Sequence, residues 1–141
     1  MAAGKHGSSE ITVSYDSSPG GALQLITSYV LQFGGVKITA NMQVSTAFGD
    51  TITKKLPTGV SALADIPIEG FWDDTATTGP HVVFLAPDTS PQAATRTLII
   101  VFGNSKTWTS EGYLQDYEVL GKAGELTRFK AVLLQNSGAW S

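Results

Sequence analysis

The closing stretch of the chain constrains its fold most. Residues 107–120 and 126–136 are two long strand patterns, and residues 121–125 (GKAGE) join them as a hairpin turn. Ahead of that hairpin, residues 97–102 (TLIIVF) form a continuous apolar run, which reads as a fully buried strand. Earlier still, Val36, Ile38, Ala40, Met42 and Val44 alternate with Lys37, Thr39, Asn41, Gln43 and Ser45. Side chains on a strand point to opposite faces in turn, so this alternation predicts one face on a core and the other on water or a polar lumen. A chain with so many strand patterns must pair them into a sheet that closes or covers its own edges.

The remaining segments fit around these. Ile11, Val13 and Tyr15 alternate with Thr12, Ser14 and Asp16 as a short half-buried strand, followed by the break SSPGG at residues 17–21. Residues 23–33 are ambiguous: Leu23, Leu25, Thr27 and Tyr29 suit a strand, whereas Leu23, Ile26 and Val30 suit a helix. β-branched and aromatic content favours extended structure there. Within residues 62–72, Ala64, Ile66, Ile68 and Trp72 are in phase against Asp65, Glu69 and Asp73. Pro67 falls on the polar phase, which predicts an edge or a bulge. Residues 77–86 read as the one short helix, with Thr78 to cap it, Pro80 in the first turn and Pro87 to stop it. Residues 46–59 form a long break between strands, and loops of that length are usually functional. Residues 88–94 read as loop, and residues 103–106 as a turn. The expected architecture is all-β dominated: a β-sandwich or partly closed barrel of about seven strands, with one short α-helix and a long inter-strand loop. Residues 1–10 are expected to be a flexible N-terminal segment, and residues 11–141 a single domain.

Composition narrows the function classes. The 141 residues are 42% hydrophobic, enough to build a core. There is no cysteine, so disulfides, thiolate nucleophiles and Cys-based metal sites are excluded. A net charge of −3 disfavours nonspecific binding to nucleic acid, which depends on neutralising phosphates with cations. No run reaches the ~18 apolar residues of a membrane span. Residues 1–16 lack the apolar stretch of a signal peptide after Lys5 and His6, so the expectation is a soluble protein made in the cytoplasm.

Groups that could do chemistry are few and scattered. His6 and His81 are the only histidines, and neither has an obvious partner in the sequence to set its tautomer. Asp73-Asp74 with Thr75 and Thr77 reads as a polar turn, since it lacks the ligand spacing of a calcium loop. Glu111, Asp116, Glu118 and Glu125 read as acids on a solvent-facing strand surface, with no aromatic-rich cleft for glycoside chemistry. Neither the glycines nor Ser8, Ser9, Ser17 and Ser18 fall into a phosphate loop or a nucleophile elbow. Trp72, Trp108 and Trp140 could stack on sugars, but single tryptophans at strand ends more often anchor a core or an interface. These residues predict no enzyme, no catalytic residue, no metal and no cofactor.

In combination, several motifs resemble the tail tube (major tail) proteins of long noncontractile-tailed bacteriophages, the siphophage type. They are Ala47-Phe48-Gly49-Asp50-Thr51, then Leu56-Pro57-Thr58-Gly59, then Ile68-Glu69-Gly70-Phe71-Trp72-Asp73-Asp74. Further on come residues 97–102, Tyr117-Glu118-Val119, Gly124-Glu125-Leu126-Thr127 and the closing Gly138-Ala139. The resemblance covers residues 36–140, about three quarters of the chain. It implies a structural virion protein whose β-sandwich subunits close into hexameric rings that stack into a tube, the channel for DNA ejection. It also implies that Phe48, Gly49, Asp50, Lys54, Lys55, Leu56 and Pro57 lie in a loop contacting the neighbouring ring; on electrostatic grounds Lys54-Lys55 on such a loop can meet acids such as Asp73-Asp74 of the next ring. Lumen or intersubunit strands would carry Tyr113, Gln115, Asp116, Tyr117, Glu118, Arg128 and Lys130. Implied partners are further copies of the chain and the tape measure, tail terminator and distal tail proteins. DNA would pass without specific binding, no membrane is involved, and the location is the virion tail after synthesis in the host cytoplasm. Two alternatives stand beside this reading. One is a monomeric carbohydrate-binding β-sandwich using Trp72 or Trp108; the other is a single-ring tail-end or secretion-tube protein of the same fold.

Overall fold

The computed structural model describes residues 4–5, 7, 10–16, 23–85, 95–103 and 106–141. Much of the expected flexible segment, including His6, lies outside the described residues, as do the break at 17–21, the Pro87 helix stop and the loop at 88–94.

Among the described residues the chain forms nine strands: β1 (Thr12–Asp16), β2 (Leu23–Leu25), β3 (Val30–Phe33), β4 (Ile38–Val44), β5 (Lys55–Leu63), β6 (Ile66–Phe71), β7 (Arg96–Phe102), β8 (Lys106–Leu120) and β9 (Arg128–Trp140). One helix, α1 (Pro80–Leu85), lies between β6 and β7. Seven strands pair antiparallel in the order β2-β1-β7-β8-β9-β6-β3, a sheet curled into a half-barrel. β4 and β5 form a separate two-stranded ribbon. The fold is all-β as expected, with a short helix beginning at the expected proline.

The β8–β9 hairpin is the spine. Its register runs from Leu120↔Arg128 to Trp108↔Trp140, longer than the sequence pattern suggested, with irregularities at Glu111/Gly112 and Leu114/Asp116. Such irregularities bend a long ribbon and increase its twist. Gly112 sits at one of them, where a Cβ would run into the backbone carbonyl of Leu134. One face of the sheet carries Val13, Tyr15, Ile66, Ile68, Leu98, Ile100, Trp108, Phe129, Ala131 and Leu133, all buried. Val83 and Phe84 of α1, with Ile26, complete this core.

Four expectations change. β7 is half-buried: Leu98 and Ile100 are enclosed, whereas Thr97, Ile99 and Val101 are only partly covered. The apolar run marks residues that tolerate burial on both sides, but the single chain covers one face. Residues 23–33 are not one strand; a 3₁₀ turn at Thr27–Tyr29 separates β2 from β3. Thr27 fixes that corner, its Oγ1 accepting from the Val13 N–H at 2.9 Å, over the buried Ile26. Residues 62–72 split into the end of β5 and β6, and Trp72 follows β6, its N–H bonded to the Thr127 carbonyl. Pro67 lies on an interior strand between β9 and β3. Its carbonyl accepts from the Gly34 N–H at 2.7 Å, so its nitrogen also points to the β3 side, beyond the last ladder pair Phe33↔Ile68. The missing N–H therefore removes no bond to β9.

The fourth change concerns β4. Its alternation predicts a face on a core, yet every residue of β4 is exposed. A period of two says that a face is to be covered without saying by what.

Candidate assembly surface

The ribbon is a feature that the folded chain leaves uncovered: every residue of β4 is exposed. Its register places Ile38 opposite Leu63, Ala40 opposite Ser61, Met42 opposite Pro57 and Val44 opposite Lys55. Residues directly opposite in an antiparallel pair share a face. Ile38, Met42 and Val44 thus form one apolar row, each more than half exposed (51–60%). Only the root of the ribbon is held: Val36 and Leu63 pack on the core, and the Ala64 N–H donates to the Lys37 carbonyl. A soluble monomer gains nothing from such a row, whereas an assembling subunit does.

The tip is built by its own hydrogen bonds. The Asp50 carboxylate accepts from the Ala47 N–H at 2.7 Å, and the Asp50 N–H returns to the Ala47 carbonyl at 3.1 Å. Thr46 Oγ1 accepts from the Lys54 N–H, and Lys54 Nζ lies 3.3 Å from Asp50 Oδ1. Gly49 takes a left-handed φ of 91°, which a side chain would resist. This frame holds Phe48 and Ile52 out in solvent, at 109% and 74% exposure. Of the seven residues expected in a contact loop, Phe48, Gly49, Asp50 and Lys54 occupy the tip. Lys55, Leu56 and Pro57 belong instead to β5, paired with Val44, Gln43 and Met42. The loop is thus shorter than the sequence suggested, because Pro57 is tolerated on a ribbon that has no further strand beyond β5 among the described residues. Lys54 and Asp73 both have partners close by in the chain, since Asp73 Oδ1 accepts from the Thr75 N–H at 2.7 Å. Those bonds from Thr75 hold the Asp73 carboxyl below the usual carboxylate range.

The second set of candidates lies along the hairpin. Glu118 faces Lys130 on β9, and Lys130 faces Glu69 on β6, its Nζ 3.9 Å from Glu69 Oε1. Gln32 on β3 donates to Glu69 Oε2 at 2.7 Å. Charge therefore alternates across three strands, β8, β9 and β6, with the neutral Gln32 beyond them on β3, away from the core. Asp116 and Arg128 are exposed, as is Gln115 at the bulge, while Tyr113 is half-buried opposite Leu134. Tyr117 lies on the other face, stacked on Phe84 and Phe129 with centroids 6.0 and 6.3 Å away.

Groups singled out for chemistry take structural places. His81 does have partners: its Nδ1 accepts from Trp72 Nε1 at 3.1 Å and lies 3.0 Å from the Tyr117 hydroxyl. They come from β8 and the segment after β6, which sequence spacing does not reveal. Glu111 accepts from the hydroxyls of Thr95 and Thr97. Trp108 is wholly enclosed and cannot offer a ring to a sugar, and Trp72 is half-buried with its N–H engaged. Trp140, half exposed, packs edge-on to Trp108 at 5.4 Å. No group of three or more His, Cys, Asp or Glu that could hold a metal occurs among the described residues, nor does any helix long and apolar enough to cross a membrane.

Arg96 was not foreseen. It is buried on β7, its guanidinium 4.5 Å from the Tyr15 ring centroid and donating to the carbonyls of Val83 at 3.0 Å and Phe84 at 3.4 Å. A cation there meets the carbonyls that the end of α1 leaves unpaired. The only sequence signal was a lone charge entering an apolar run.

No protein-family model matches the sequence, and no curated protein matches it. Solved structures do match. A chain of the anti-feeding prophage baseplate, 6-fold symmetrised, superposes with a TM-score of 0.71 at 13% identity, covering 100% of this chain and 96% of that one. A chain of the gene transfer agent tail, refined with C6 symmetry, gives 0.71 at 12% identity and covers 97% and 98%. The SPP1 tail tube gives 0.68 at 10% identity, covering 95% of this chain and 77% of that chain. The half-barrel with its helix and projecting ribbon is therefore the fold of phage-type tail tube and baseplate subunits.

Proposed function

We propose that this protein is a structural subunit of a phage-type tail, closing into rings of six that stack into a tube through which DNA is ejected. The observation that carries this is the end-to-end likeness to a gene transfer agent tail chain, 97% of one chain against 98% of the other, in a particle of C6 symmetry. The uncovered ribbon supports it: pooling strands from several copies covers apolar faces and edges that one copy leaves open. In this reading Phe48, Gly49, Asp50 and Lys54, with Lys55, Leu56 and Pro57 behind them, contact the next ring. The exposed face of β8 and β9 belongs to the lumen or to the contact between ring neighbours. Tape measure, tail terminator and distal tail proteins meet the tube at its interior and ends, and DNA slides past without specific binding. The subunit is then part of the virion tail, made in the host cytoplasm.

The test is negative-stain electron microscopy across a concentration series, with light-scattering mass alongside. Hollow tubes of six-fold rings are expected, and protein that forms neither rings nor tubes overturns the reading. The match to the anti-feeding prophage baseplate favours one second reading, a single ring at a tail end. Six-fold rings that never stack would select it.

A further inference from the structure

The core face of the sheet has a gap in one of its rows. Residues directly opposite in antiparallel strands share a face. The register sets Arg96 on β7 opposite Gly112 on β8, and Gly112 opposite Gln135 on β9. Arg96 and Gln135 are both buried, with only a glycine between them. No side chain can take that place, because a Cβ on Gly112 would run into the Leu134 carbonyl. In the neighbouring row Tyr15 on β1 lies opposite Leu98, and Leu98 opposite Ser110 on β8. Tyr15, Arg96, Ser110, Gly112 and Gln135 together line a cavity of about 10 Å³.

Polar groups at this cavity have hydrogen bonds still to make. Tyr15 is 1% exposed, and its hydroxyl has no hydrogen-bond partner among the described residues. The Arg96 guanidinium lies over the Tyr15 ring and donates to the carbonyls at the end of α1. Gln135 commits one amide hydrogen to the Ala64 carbonyl and one lone pair to the Trp108 indole, which leaves one of each. Ser110 is buried and carries a hydroxyl that can both donate and accept. The ladder is also interrupted here: between Glu111↔Ser137 and Gly112↔Gln135, Asn136 has no residue opposite it.

We propose that the cavity is a binding site for a single water molecule, held between the Tyr15 hydroxyl, the Ser110 hydroxyl and the Gln135 amide. A buried water needs two to four polar partners and roughly 10–15 Å³ open to its centre, and this cavity offers both. An apolar void of the same size would stay dry. Larger ligands do not fit the space. A metal ion would meet the Arg96 cation, and no metal-binding group of His, Cys, Asp or Glu occurs among the described residues. A bound water supplies the partner that a buried hydroxyl requires. It joins β1 to the β8–β9 hairpin at the point where the hairpin's ladder is interrupted, beside the Gln135 bond to the ribbon root. The site lies inside one subunit and is independent of how subunits assemble.

The test is a density map of the wild-type protein at a resolution that shows ordered water, with thermal unfolding of Tyr15→Phe alongside. The map is expected to show a peak within hydrogen-bond distance of Tyr15 Oη and of Ser110 Oγ or the Gln135 amide. Y15F keeps the ring that packs on Phe84 and Arg96 and removes only the hydroxyl. Its midpoint is expected to fall by a few degrees, because a satisfied hydrogen bond is lost. A dry, unpaired hydroxyl gives the opposite sign: its removal relieves a buried polar group and leaves the midpoint unchanged or higher. A wild-type map without that peak overturns the site, as does one in which Tyr15 Oη bonds directly to a protein group. A Y15F midpoint that holds or rises also overturns it. Should Y15F fail to fold, the wild-type map decides alone.

Discussion

The indole N–H of Trp108 donates to the side-chain carbonyl of Gln135 at 2.7 Å, and the Gln135 amide donates onward to the backbone carbonyl of Ala64 at 2.6 Å. Trp108 is on β8 and Gln135 on β9, and Ala64 is the residue directly after β5. This relay ties the root of the projecting ribbon to the middle of the hairpin. Trp108 and Gln135 are both buried, so an arm that leaves the body is tied to side chains inside it. The tip can then present Phe48 at a defined position.

Replacing Gln135 by leucine keeps volume and strips the relay. Trp108 Nε1 and the Ala64 carbonyl would each lose a partner, and a buried group without one costs about 1–3 kcal/mol. The urea midpoint is expected to fall by an amount equivalent to about 2 kcal/mol with an unchanged denaturant slope. An unchanged midpoint would show that the relay carries no stability.

Arg96→Met removes the cation that holds the end of α1. Hydrogen bonds to charged groups contribute about 1.5–3 kcal/mol, so a loss near 2 kcal/mol is expected. Hydrogen exchange should rise in α1 ahead of the β8–β9 amides, because the helix loses its anchor before the sheet loses its ladder. Uniform acceleration everywhere would argue against a local role.

Alkaline pH should loosen the same region. Burial pushes the Tyr117 phenol up to about 12 and raises that of Tyr15. For an acid whose folded pKa is raised, the neutral form is favoured in the fold. Its contribution is therefore complete below the unfolded value of ~10 and is lost as pH climbs through the folded one. Near-UV circular dichroism is expected to hold to about pH 10 and collapse toward 12. In Y117F that loss should move to higher pH, and an identical profile would assign the transition to other groups.

The sequence told most where pattern and packing coincide. The β8–β9 hairpin and the helix at Pro80 were legible because local turn and strand signals match the contacts they make. β4 was legible as a strand and not as a surface, since alternation cannot say whether its cover lies in the same chain. Lys55 and Pro57 read as loop because loop composition and a ribbon free on its far side look alike. Tyr117 was placed by strand membership, and the bulge between Leu114 and Asp116 decides which face it takes. Arg96, Gln135 and the partners of His81 were beyond reach, because each depends on contacts between segments far apart in sequence.

The alternating row Glu118, Lys130, Glu69 gives the hairpin surface its own test. The sequence put Asp116 and Glu118 on a solvent-facing surface of a lumen or intersubunit strand; in the fold Glu118 is countered by the facing Lys130. Glu118→Lys places two ammonium groups on directly opposed positions, which costs roughly 0.2–1 kcal/mol in a sheet, so folding and ring formation are expected to survive. If this face lines the channel, the change adds two positive charges per subunit relative to the native row, repeated around every ring. Cations there attract phosphate, and DNA that slid past should drag. Ejection from particles carrying E118K, followed by fluorescence of a DNA-binding dye, is expected to slow several-fold. Added salt should speed it up again, since phosphate contacts weaken as counterions compete. The neutral variant E118Q should fall between the two. Normal ejection from E118K particles would put this face outside the channel and leave the row as a contact between ring neighbours.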